Sequence, residues 1–281
     1  MTVISVVSRQ SSDSSRQNLK TAIIGGTGVY DPGWMSNDRP KKINTPFGEV
    51  TVRMGKSQDK EVAFVSRHGE EHNAPPHLIN YRANIWALKK MGVRNILATA
   101  AVGSLNPAMK PGDFVFTDQF LDFTKTRAHT FIEQGGLHPD MTAPYCATLC
   151  HLLSEAAGSL NLRFHPKGTY VCTEGPRFET PAEIHFFQKI GGDLVGMTGV
   201  PEVTLAREAG ICYACSAVVT NFAAGISTTL LSHQEVVAAM EKYQDNLRRL
   251  LNQVLILIDE NRNCFCQASA FLEVGGTNRK C

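Results

Sequence analysis

The chain has 281 residues, 43% of them hydrophobic and 19% charged. That is enough apolar material for a sizeable core and too little charge for a disordered polypeptide. Its 28 Lys and Arg against 26 Asp and Glu leave a formal charge of +2, which argues against a broad basic face for nucleic acid, and no stretch approaches the ~20 continuous apolar residues of a membrane-spanning helix.

Residues 1–20 hold six serines in the first sixteen positions and show no period. Arg9 and Arg16 flank no clean apolar run and Asp13 intervenes, so the segment reads as a disordered extension rather than a transit peptide. Thr21–Ile24 is a short apolar run that ends in Gly25-Gly26-Thr27-Gly28, the pattern of a strand followed by a tight turn. Further strands are expected over 61–66 (EVAFVS) and 95–101 (NILATAA). Leu78, Tyr81, Ile85 and Leu88 recur at helical spacing before Gly92, which predicts a helix between those two strands. Thr180-Pro181-Ala182-Glu183 is a capping box with Pro at the first helical position and opens a helix to about Ile190. Pro201 to Glu208, closed by Gly210, predicts another helix, and the run ICYACSAVV between it and the next reads as a buried strand. Ser232-His233-Gln234-Glu235 is a second capping box and opens a long helix to about Ile258. Alternating strands and helices predict an α/β fold around one central, largely buried sheet. The expected layout is a single folded domain over 21–260, preceded by the 1–20 extension and followed by a tail over 261–281.

Eight cysteines lack framework spacing. Cys212 and Cys215 lie three apart on a predicted strand and face opposite sides, so they cannot close on one metal. Cysteines acting as small core hydrophobes in a reducing, cytoplasmic compartment are the expectation. Cys264-Phe-Cys266 stands apart, as either a local disulfide or part of a free tail.

Open α/β sheets bind ligands beyond their strand ends, so the chemistry is sought in the loops. Gly25-Gly26-Thr27-Gly28 lacks the third glycine of a dinucleotide fingerprint and the lysine of a Walker loop, yet its backbone N–H groups and the Thr27 hydroxyl suit a small anion. Arg67-His68-Gly69-Glu70-Glu71-His72 places two histidines around acids, but Gly69 and Pro75-Pro76 deny the helix that a zinc motif needs. Arg67 with His68 instead suits a phosphate clamp. Ala100-Ala101-Val102-Gly103-Ser104 lets a ligand approach the backbone, and Glu179, taken alone, is a first-turn acid favoured by the helix dipole.

Taken together, GGTG, RHG with His72 after it, VGSLNPAMKPGD, TEGPRFETPAE, GMTGVPEVTLARE and VVTNFAAG, in this order, resemble the trimeric purine nucleoside and methylthioadenosine phosphorylase family over roughly 22–258. The resemblance implies a nucleoside-phosphorylase fold, a central mixed β-sheet flanked by helices. It also implies a homotrimer, inorganic phosphate as cosubstrate and no metal or other cofactor, with neither nucleic acid nor membrane as partner. Its phosphate site maps to Thr27, Arg67, His68, Ala101 through its backbone, and Thr198. Ala100 stands where methylthioadenosine members carry a threonine, so one hydroxyl contact is missing. Phe178 matches the aromatic against the base, Met197 the residue beneath the ribose, and His138 a residue that enters the neighbouring subunit's site.

The same resemblance locates the substrate-determining positions. Adenine-type members carry Asp at Asn221 and at Ala223, and Ser at Glu179. An asparagine amide donates to O6 and N7 of a 6-oxopurine, and a carboxylate accepts from its N1–H. Adenine offers no such donor, and the buried carboxylate would go unpaired at ~1–3 kcal/mol or more. His233 matches the residue facing the sugar 5′ position, where methylthio-specific members keep an apolar side chain. Phosphorolysis of inosine or guanosine is therefore expected, with Asn221, Glu179 and His68 carrying the chemistry. Methylthioinosine or methylthioadenosine phosphorolysis is the near alternative, and a non-catalytic nucleoside-binding protein the distant one.

Overall fold

The computed structural model describes residues 19–29, 35–71, 73–133, 138–226, 230–268 and 270. The strands are β1 (Thr21–Gly25), β2 (Ser36–Thr45), β3 (Gly48–Ser57), β4 (Lys60–Ser66), β5 (Asn95–Ser104), β6 (Phe114–Phe116), β7 (Gln119–Phe123), β8 (Phe164–His165), β9 (Thr169–Thr173), β10 (Leu194–Gly196) and β11 (Cys212–Phe222). The helices are α1 (Tyr81–Lys90), α2 (Ala147–Ser159), α3 (Pro181–Lys189), α4 (Gly199–Glu208), α5 (His233–Leu257) and α6 (Phe265–Ala268). All eleven strands join one mixed sheet, ordered β2-β3-β4-β1-β5-β10-β9-β7 along its main path, with β11, β6 and β8 branching from β5.

Parallel β4, β1, β5 and β11 form the buried centre. Their runs of Val, Ile, Ala and Phe are almost wholly enclosed, as strands covered on both faces require. The burial expected of the whole sheet fails at β2, whose SNDRPKKINT is mostly exposed. This edge strand pairs only with β3, and its two lysines, arginine and proline blunt the open edge.

Both capping boxes form. Thr180 accepts from Glu183 N and Ser232 accepts from Glu235 N, and each glutamate reaches back to its cap residue. Tyr81, Ile85 and Leu88 face the core from α1, but Leu78 does not join them. It ends a 3₁₀ turn begun by Pro76 and stands 67% exposed, because Pro75-Pro76 cannot continue a helix backwards. α2 and the β2–β3 hairpin carried no sequence expectation.

The topology opens a cleft at one place. β11 lines one edge of β5 from Asn95 to Ser104. The other edge pairs with β1 only as far as Ala98 and with β10 only from Gly103. Between them, Thr99 to Val102 have no strand neighbour on that side. At the same level β11 carries a bulge, since Val219 pairs Val102 and Asn221 pairs Gly103, which leaves Thr220 as the extra residue. A bulge there bends the strand and re-aims the next side chain.

Cys264 and Cys266 are neither bridged to each other nor on a detached tail. Both are free thiols packed near Cys146 and Cys212, and Cys266 is buried. Arg94 and Arg262 tie the same segment to the body through Gln267 Oε1 and Asn95 Oδ1. His72 and the stretches 1–18 and 271–281, with Phe271 and Leu272, lie outside the described residues. Among the described residues no helix is long and apolar enough to cross a membrane.

Candidate active site

A cavity of about 450 Å³ lies in the gap where β1 and β10 leave β5. Nearly every residue singled out from the sequence lines it: Thr27, Arg67, His68, Ala100, Ala101 and Thr198 at one end. At the other are Phe178, Glu179, Met197, Asn221 and Ala223, with His233 at the mouth. His138 is the exception. It is exposed and is not among the residues lining this chain's cavity.

The end that holds Arg67 is built on the β1 turn. Gly26 N donates to Thr99 Oγ1 at 3.1 Å, and Arg67 N donates to Gly25 O at 2.9 Å, which ties the turns after β1 and β4 together. A Cβ on Gly26 would stand 2.6 Å from Arg67 Nη1, so only glycine lets the guanidinium lie against this turn. Gly28, at φ +78°, takes the left-handed conformation that the turn needs.

Arg67 is buried and already engaged. Its Nε and Nη2 grip the two oxygens of Glu202, each at 2.7 Å, and Nη1 donates to Thr99 O at 2.8 Å. Tyr213 Oη also donates to Glu202, at 2.7 Å. Burial works against the Arg67 charge, and Glu202 more than offsets it, so the guanidinium stays charged with its pKa raised. Three of its five N–H groups are spent, leaving one on each of Nη1 and Nη2 for an anion in the cavity. Glu202 went unrecognised in the sequence because a Glu after Pro201 reads as an ordinary first-turn acid. No local pattern announces an ion pair 135 residues away.

His68 Nδ1 lies 2.9 Å from Ala74 O. That contact makes Nδ1 the protonated nitrogen and points Nε2 the other way around the ring. Thr198 caps α4 without a side-chain cap bond, so its hydroxyl is not committed to its own helix.

At the other end, Glu179 is buried and accepts from Thr173 Oγ1 at 2.6 Å. Burial pushes its carboxyl pKa up, and the Thr173 bond offsets part of that rise. The loop before it is held from below by Arg127, which donates to the carbonyls of Thr173, Glu174 and Val200. The Asn221 amide is oriented by two bonds. Its Oδ1 accepts from Thr220 Oγ1 at 2.7 Å and its Nδ2 donates to Phe222 O at 2.9 Å. The reverse orientation would set two oxygens against each other, so the second Nδ2 hydrogen is the group left for a ligand. Thr220, the bulge residue, and Thr173 are positioning groups that the sequence did not reveal. Beside His233 the cavity wall is apolar, formed by Leu231 and Val236.

A carboxylate acceptor and an amide donor at one end of a single cavity, with a cation and hydroxyls at the other, can hold a polar heterocycle and an anion together. The model of the phosphorylase superfamily matches residues 20–256. The chain is 53% identical over 255 residues to a Moorella thermoacetica protein named probable 6-oxopurine nucleoside phosphorylase, covering 90% of this chain and 98% of that one. It is 51% identical to the 6-oxopurine nucleoside phosphorylase of Pyrococcus furiosus, covering 88% and 96%. Among solved structures, methylthioadenosine phosphorylase from Schistosoma mansoni in complex with adenine is similar at TM-score 0.82 and 36% identity, covering 85% and 91%.

Proposed function

The chain belongs to the phosphorylase superfamily, and we propose that it is a purine nucleoside phosphorylase that cleaves 6-oxopurine ribonucleosides, inosine or guanosine, with inorganic phosphate. The products are the free purine and ribose 1-phosphate. The observation that carries the reading is the pairing of Glu179 and Asn221 in one cavity. A 6-oxopurine satisfies both, N1–H donating to Glu179 and O6 or N7 accepting from Asn221. Adenine, which has no N1–H, would offer the buried Glu179 carboxylate no donor at that position and leave it its bond from Thr173.

Bond cleavage runs ahead of attack. As the glycosidic bond breaks, negative charge grows on the purine, and the Asn221 amide binds N7 more strongly in the transition state than in the ground state. Phosphate, held by Arg67, His68, Thr27, Thr198 and the Ala101 backbone, faces the cationic sugar and then bonds to its anomeric carbon. Phe178 lies against the base and Met197 beneath the ribose. No covalent enzyme intermediate is required, and phosphate serves as cosubstrate in place of a cofactor. A trimer, in which His138 reaches a neighbour's site, is part of the same reading.

Leu231 and Val236 favour a second substrate, the 5′-methylthio analogue of inosine, whose S-methyl group suits an apolar wall. His233 favours the ordinary 5′-hydroxyl, to which an imidazole can hydrogen-bond. Phosphate-dependent base release from inosine, methylthioinosine and methylthioadenosine at equal concentration decides between them. Inosine should be fastest. Faster cleavage of methylthioadenosine would overturn the base assignment, and faster cleavage of methylthioinosine only the assignment at the 5′ position.

A further inference from the structure

Far from the cavity, four cysteines from three parts of the chain converge. Cys146 caps α2, Cys212 opens β11, Cys264 immediately precedes α6 and Cys266 lies within it. Their Sγ atoms all lie within 4.8 Å of one another, three of the four residues are buried and the fourth is half-buried. β11 runs nine residues from Cys212 to Asn221, roughly 30 Å of strand, so the cluster has no part in the chemistry described above.

We propose that Cys146, Cys212, Cys264 and Cys266 form a tetrathiolate site for a structural zinc ion, which fastens the C-terminal segment to the body of the protein. Zinc with four sulfurs is tetrahedral, and bonds of about 2.3 Å set neighbouring sulfurs about 3.8 Å apart. Cys146 Sγ and Cys264 Sγ are 3.7 Å apart. A tetrahedral set of four soft thiolates suits zinc, while magnesium and calcium call for oxygen donors.

Charge supplies an independent argument. Arg262 is half-buried over the cluster: its Nη2 donates to Asn95 Oδ1 and lies 3.9 Å from Cys146 Sγ, while its buried Nε and Nη1 face sulfur, with no oxygen acceptor among the described residues. Neutral thiols are weak acceptors for those two N–H groups, whereas thiolates are strong ones. Zinc binding removes the thiol protons, and one divalent ion among four thiolates leaves a net charge of −2 beneath that guanidinium. Arg262 then serves the outer shell that metal–thiolate centres require. Cys146 at the N-terminus of α2 adds the favourable end of a helix dipole. The site closes the chain between residues 146 and 266, which explains why a tail without periodicity packs against β11.

The test is metal analysis of the full chain, purified without chelator and without a polyhistidine tag. One zinc per chain is expected, released by an organomercurial that titrates thiols. Replacement of the ion with cobalt(II) should give the absorption of a tetrahedral thiolate complex. The variant Cys264→Ser/Cys266→Ser should lose the zinc and melt at lower temperature, while inosine turnover per folded chain stays as in the parent. Should that variant fail to fold, the zinc content and cobalt spectrum of the parent still decide the matter. Iron in place of zinc, zinc retained by the double variant, or peptide mapping that finds the four cysteines joined in disulfides would overturn the proposal. None of these readouts depends on which nucleoside is cleaved.

Discussion

In the proposed reaction Asn221 and Glu179 recognise one base from two sides, and this fixes what their substitutions should do. Aspartate at 221 would repel O6 unless it took up a proton, so Asn221→Asp should lower inosine cleavage and relatively favour adenine nucleosides. Loss of a transition-state hydrogen bond of ~2–3 kcal/mol corresponds to roughly 30- to 150-fold in rate. A substrate preference that does not move, measured as kcat/KM on inosine and adenosine, would remove Asn221 from this role. The raised pKa of Glu179, caused by burial, carries a sign. The carboxylate accepts from N1–H more strongly than the neutral acid, which keeps only a carbonyl acceptor, and a raised pKa brings protonation on at a higher pH than for an ordinary glutamate. The acidic limb of kcat/KM for inosine should therefore lie above the usual carboxylate range and disappear from the profile of Glu179→Gln. Arg67 needs a paired test, because Arg67→Ala strands the buried Glu202. Breaking such a pair costs about 3–5 kcal/mol, so this variant should melt early and also demand far more phosphate. Arg67→Ala/Glu202→Gln should recover the melting temperature but not the phosphate KM. If both recover, Arg67 holds the fold and not the phosphate.

At the scale of elements, what the sequence made legible was whatever had a local cause. β1, β4, β5 and β11 could be read from their apolar runs, and α3 and α5 from capping boxes whose reciprocal bonds are present. α2 was missed because ATLCHLLSEAAGS has no side-chain cap bond or acidic first turn to announce it. The β2–β3 hairpin was missed although β3 alternates Val50, Val52 and Met54 with Thr51 and Arg53, because its partner β2 is a polar edge strand with no such pattern. The site divides in the same way. Residues inside motif-bearing loops were legible, whereas Glu202, Thr173 and Thr220 act through partners set by topology. α5 offers a prediction at this scale, since its cap is followed directly by His233, which lines the cavity mouth. Ser232→Ala removes a cap worth roughly 0.5–2 kcal/mol. Its KM for inosine should rise together with a modest loss of melting temperature, and KM for phosphate should move less, because α5 reaches the β1 turn through Met240, two turns beyond the cap. A phosphate KM that rises equally would mean that α5 supports the whole cavity and not the sugar end.

The whole molecule is where the single chain looks incomplete. His138 is exposed and absent from its own chain's cavity, and Leu78 stands exposed two residues beyond Pro76, which lines it. A large apolar side chain beside a site and an unused histidine both make sense if a neighbouring copy covers the mouth. In a cyclic trimer each site would then take Asn221 from one subunit and His138 from the next. Two crippled variants test this together. Asn221→Ala and His138→Ala should each be poorly active alone. When they are unfolded together and reassembled in equal amounts, about a quarter of the sites combine an intact Asn221 with a neighbour's intact His138, if subunits mix at random. Activity should return to about that fraction of the parent enzyme, and sedimentation of the mixture should show trimers. If His138 acted within its own chain, or had no role, mixing would restore nothing beyond the average of the two variants. An active monomer at assay concentration would exclude the shared site outright, because a site completed by a neighbour's His138 cannot form in one chain.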